Sequence, residues 1–129
     1  MRLMVLALVG LIPACQADET VTGYGAADAT WALVEQNGTP FTARATLNFG
    51  EDGQISGMAP CNRFSTTNTV PYPWFDAGPI AATKMACPEL AAETAFFDTL
   101  RTMTLAEVLG DTLILRNDAG VEMVFKASD

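Results

Sequence analysis

Three cysteines, Cys15, Cys61 and Cys87, carry most of the reactive chemistry available to this 129-residue chain. Histidine is absent. That excludes Ser-His-Asp and Cys-His nucleophilic machinery and every zinc site built on imidazole. Cys61 and Cys87 alone cannot supply a four-cysteine site, so no metal and no cofactor are expected. Gly23-Tyr24-Gly25 is an isolated glycine pair and not a phosphate cradle. Glu51 and Asp52 lie between two glycines and read as solvated turn residues, not as an acid pair. The expectation is a protein that is not an enzyme.

Cys15 reads as a lipidation site. Met1-Arg2 supplies a positive charge, and Leu3 to Ile12 is an unbroken apolar run, too short for a membrane helix of about 20 residues. Ile12-Pro13-Ala14-Cys15 then resembles a bacterial lipobox, with Pro13 an unusual occupant of its second position. Cleavage before Cys15 would leave residues 1–14 as the signal peptide and acyl chains on the new N-terminal cysteine. The competing reading is ordinary cleavage near Ala17, which would discard Cys15. Gln16, where aspartate would signal retention, points to the outer membrane. The expected location is the bacterial cell envelope, lipid-anchored and facing the periplasm.

Cys61 and Cys87 remain as an even pair in an exported chain. They are read as a disulfide, with two buried free thiols as the alternative. A bridge closing a loop of roughly 26 residues would contribute about 3.5 kcal/mol. Cys61 sits in Gly57-Met58-Ala59-Pro60-Cys61-Asn62, a composition that builds a fixed backbone corner.

These cysteines need a frame. Residues 15–30 are small and polar and read as a lipidated N-terminus with a flexible tether, leaving residues 31–129 as one domain. Trp31 and Leu33 share a side of an opening strand, and Asn37-Gly38 is a turn signal. Thr42 to Phe49 alternates apolar and polar residues as a strand should. Gly50 to Gly53 turns it back into Gln54–Met58. Phe64 to Val70 is threonine-rich and suits an exposed or edge strand. Pro71-Tyr72-Pro73-Trp74 is a rigid aromatic connector, and Phe75 to Ala82 resumes strand character. Pro88 to about Met103 is the one amphipathic helix. Its Phe96, Phe97, Leu100 and Met103 form the apolar stripe, and Glu93, Asp98 and Arg101 take other positions. Leu105–Leu109, Leu113–Arg116 and Val121–Lys126 are short strands separated by hairpin signals. The class is β-rich α+β: a small curled antiparallel sheet or partly open β-barrel with the helix packed on it.

The net charge of −8 argues against nucleic acid, whose phosphates need clustered Lys and Arg. Expected partners are the membrane, through the anchor, and an envelope protein. A carrier of a small hydrophobic molecule or lipid is the alternative, with Met58, Trp74, Phe75 and Met85 lining the mouth of the barrel.

Several blocks stand together in order: Trp31-x-Leu33, Ala59-Pro60-Cys61-Asn62-Arg63-Phe64, Thr83-Lys84-Met85-Ala86-Cys87-Pro88, and Phe96-Phe97-x-x-Leu100 before a terminal hairpin. In these the chain resembles the META domain family of heat-shock lipoproteins, from Trp31 to about Lys126. The resemblance implies a partly open barrel with a helix, and envelope-associated, stress-related roles. It carries over no catalytic residue. Ala59-Pro60 stands where the family usually has glycine, and the family's Gly-x-Tyr is missing between the blocks. Asn62, Arg63 and Thr83 are the polar positions of interest. They read either as a binding corner or as residues that satisfy backbone groups beside the bridge.

Overall fold

The structure is a computed structural model describing residues 17–128. The expected signal segment and Cys15 lie outside those residues.

Strand β1 (Thr30–Gln36) buries Trp31 and Leu33 and ends at Asn37-Gly38. Both turn residues have positive φ, 52° and 78°, as a two-residue type I′ hairpin requires. β2 (Thr39–Pro40) is the short return. β3 (Thr46–Phe49) and β4 (Gln54–Met58) are joined through a 3₁₀ turn at Glu51–Gly53. β5 (Arg63–Thr67) and β6 (Ala81–Ala82) follow, then helix α1 (Leu90–Thr102). β7 (Leu105–Leu109), β8 (Thr112–Arg116) and β9 (Glu122–Ser128) complete the chain. All pairings are antiparallel, in the order β6-β5-β4-β3-β1-β9-β8-β7, with β2 branching from β1. β1 lies between the two halves of the sheet, because its ladder with β9 joins the first strand to the last.

The sheet curls without closing, and α1 lies over its core side. Phe96 and Phe97 of α1 meet Phe64 of β5 edge-on, with ring centroids 5.6 and 5.2 Å apart. Such aromatic pairs add to what their buried area contributes. Leu100 and Met103 complete the helical stripe, against a wall that includes Leu47, Ile55, Leu113 and Phe125.

Residues 68–80 form a strap across the gap between β5 and β7. At one end Thr66 Oγ1 donates to Gly78 O and the Gly78 amide donates to Thr67 O, each at 2.9 Å. At the other, Phe75 N–H donates to Thr104 O, and Ala106 N–H to Pro73 O. The Tyr72 hydroxyl accepts the Val108 amide at 3.3 Å.

The structure departs from the sequence reading in several places. The extended strand expected over Phe75–Ala82 pairs only at Ala81–Ala82, since Pro79 has no N–H for a ladder. The strand expected from Thr42 begins at Thr46. β5 is one place in from the edge, and Thr66 and Asn68 are buried. The stretch read as a tether is partly packed. Val21 and Ala26 are fully buried, and Ala26 O accepts the Trp31 indole N–H at 3.0 Å. A buried indole needs that acceptor, so the chain ahead of Trp31 folds back to supply it. The Glu19 carbonyl likewise accepts the Tyr72 amide at 2.7 Å.

Gly57 marks the closest backbone approach in the wall. A Cβ there would lie 1.9 Å from Thr46 O and 2.9 Å from the Phe64 ring. Gly57→Ala should therefore cost about 1–3 kcal/mol. Chemical denaturation should show a lower midpoint with an unchanged m-value.

Candidate functional site: the disulfide corner and its groove

The β4–β5 hairpin builds the corner. Met58 and Arg63 are its last ladder pair, and Ala59 N–H donates to Asn62 O at 2.7 Å beyond them. Pro60 and Cys61 form the tip. Cys61 is bridged to Cys87, just ahead of α1, with the Cα atoms 5.6 Å apart. The free-thiol alternative is thereby removed.

Behind the bridge lies a polar clamp. Glu93, in the first turn of α1, is only 4% exposed. One of its oxygens accepts the amides of Cys61 and Asn62 at 3.0 and 2.7 Å. The other accepts Asn62 Nδ2 at 2.7 Å. Asn62 also donates Nδ2 to Met85 O at 3.1 Å. Its Oδ1 accepts the Thr83 hydroxyl at 2.9 Å and the Met85 amide at 2.7 Å. All four hydrogen-bonding positions of the Asn62 amide are therefore used, and the network fixes which end is oxygen. Three segments distant in sequence meet on one side chain.

The structure thus brings Cys61, Cys87, Asn62 and Thr83 together. Arg63 takes part only through its carbonyl, which accepts Thr83 N–H at 3.1 Å, while its side chain faces solvent. Glu93 is the member that sequence reading assigned to another face. Its spacing carried the signal: it lies three, four and seven residues before Phe96, Phe97 and Leu100, on the buried stripe itself. A carboxylate at that position needs donors, and the corner supplies three.

Above the clamp is an open groove of about 430 Å³, lined by Ile80, Lys84, Met85, Leu90 and Phe97, with Asn62 and Glu93 also on its walls. Met85 is 67% exposed and Leu90 43%. The mouth imagined for a carrier is not assembled. Trp74 and Phe75 line a different groove, Met85 lines this one, and Phe75 is buried. Among the described residues, no group of three potential metal-ligating side chains forms and no helix is long and apolar enough to cross a membrane.

The fold and corner define a small, open antiparallel barrel covered by one helix and stapled to it at the helix entry. Residues 25–129 match the META domain model, and the chain belongs to the META domain family. The fold is similar to the solution structure of a protein from Burkholderia xenovorans, 22% identical, with a TM-score of 0.65 over 84% of this chain and 87% of that one. A second solution structure is 26% identical, with a TM-score of 0.60 over 76% of this chain and 87% of the other. A crystal structure of a DUF4847 family protein from Bacteroides vulgatus is 14% identical, with a TM-score of 0.66 over 82% and 96% of the two chains. No curated protein sequence matches the chain.

Proposed function

We propose that this protein acts by binding, without catalysis, as a lipid-anchored accessory of the bacterial envelope. The lipobox around Cys15 supports the address, and the family resemblance supports a stress-related setting. The groove beside the staple supports the mode of action. Two large apolar side chains, Met85 and Leu90, stand exposed on a frame held by both a disulfide and the Asn62 clamp. A rigid frame reduces the ordering cost of binding. Lys84 on the same wall is a cation in an acidic protein and favours a partner that offers an apolar side chain beside a carboxylate. The expected partner is another envelope protein. Trp74 and Met85 line different grooves, which favours this reading over that of a carrier.

The test is a photo-crosslinking residue at Met85 in the membrane-anchored protein in cells, with the same residue at exposed Val34 on β1 as control. A discrete adduct from position 85 and none from position 34 is expected. No adduct at either position, or equal labelling at both, would overturn the reading.

A further inference from the structure

The exposed apolar side chains form a second group, away from the groove. Tyr24, Trp74 and Leu109 are 55%, 57% and 55% exposed. All three lie along strand β7. The Tyr24 ring stacks on Tyr72 with centroids 4.6 Å apart, and the Tyr72 hydroxyl accepts the Val108 amide next to Leu109. Trp74 bridges to Leu105 at the other end of the strand. Tyrosine and tryptophan side chains left half in water, each with an apolar body and a polar tip, are the residues that settle at a membrane–water boundary.

The strip is also where the anchor enters. Glu19 is fixed to the strap by the 2.7 Å bond from the Tyr72 amide to its carbonyl. Asp18 is packed closely enough on Gly23 that a Cβ there would meet its carbonyl oxygen at 2.0 Å. Glu19 lies four chain steps after Cys15, with three residues between them. Whatever the conformation, those steps span no more than about 14 Å. The polar layer of a bilayer is roughly 5–8 Å deep on each side. An acylated Cys15 would therefore hold Tyr72 and its neighbours against that layer.

We infer that the Tyr24–Tyr72–Trp74–Leu109 strip seats the domain on the bilayer that carries its own anchor; this rests on the reading of Cys15 as lipidated. Asp18 and Glu19 stand at the same place, so the attraction is interfacial and not electrostatic, and zwitterionic lipid is the preferred surface. In this orientation the anchored chain is a docked body, not one swinging on a tether.

The full acylated chain is placed in phosphatidylcholine vesicles whose acyl chains carry bromine, a short-range quencher of tryptophan. Trp31 is buried in the core and serves as an internal reference and a check on folding. The Trp74 emission, obtained by subtracting the Trp74→Ser variant, should shift to the blue and fall by roughly twofold relative to unbrominated vesicles. A mass without acyl chains on Cys15 would overturn the anchoring reading and this inference with it. An acylated, vesicle-bound protein with unquenched Trp74 would overturn the inference alone. Unquenched Trp74 with crosslinks through the strip to a second copy would overturn it as well, and would assign the strip to self-association.

Discussion

Asn62→Ala lowers the unfolding free energy by about 3 kcal/mol, because it orphans one buried carboxylate oxygen of Glu93 and removes the partners of Thr83 and Met85. The Glu93 oxygen dominates, since each buried unsatisfied polar group costs about 1–3 kcal/mol, whereas Thr83 and Met85 are open to water. Equilibrium urea denaturation checks it, with circular dichroism confirming that the variant still folds. Asn62→Asp separates lost packing from lost donation. It keeps the shape but sets a carboxylate oxygen where Nδ2 lies, 2.7 Å from Glu93. Two carboxylates that close share one proton. The folded variant then holds a proton that the unfolded chain has released above the ordinary carboxylate range near 4. Protons bound in the native state exceed those bound in the unfolded state, so stability falls as pH rises, by roughly 1.4 kcal/mol per unit until the pair gives up its proton. A slope in the variant no steeper than that of the parent would refute the donor role of Asn62.

Removing the disulfide, by reduction or as the Cys61→Ser/Cys87→Ser pair, is expected to cost about 3.5 kcal/mol for a loop of 26 residues. The melting temperature should fall by roughly 10–20 °C. The domain should remain folded, because Glu93 and Asn62 still join the corner to the helix after the sulfurs part. Asn62→Ala in the reduced protein removes both connections. The two losses together approach the whole stability of a domain of this size, about 5–15 kcal/mol. Because both braces hold one junction, their effects should exceed additivity, and a double-mutant cycle measures the coupling. Strict additivity would mean that the staple and the clamp act on separate parts of the fold.

Local chemistry was legible in the sequence wherever one element decided it. Trp31 and Leu33 share the buried side of β1, Asn37-Gly38 makes the hairpin, and Cys61 pairs with Cys87. Phe96, Phe97, Leu100 and Met103 face the core as their spacing requires. What escaped depends on partners remote in the chain. Glu93 looks like a surface residue until Cys61 and Asn62, some thirty positions earlier, aim their amides at it. Thr66 looks exposed until the strap offers Gly78 O. Val21 and Ala26 look like spacer until the Trp31 indole needs a lid and an acceptor. At the corner, Cys61, Cys87, Asn62 and Thr83 were singled out by type, and the structure brings them together. Arg63 was singled out by adjacency, and its side chain has no part in the clamp.

The strap has one more consequence. The free flank of β7 would otherwise offer a row of unpaired amides to any neighbouring chain. Ala106 and Val108 are instead already committed to Pro73 O and the Tyr72 hydroxyl. At the opposite flank β6 is two residues long and follows Pro79, too short a template to recruit a foreign strand. Copies of this domain at high concentration can collide repeatedly without zipping together edge to edge.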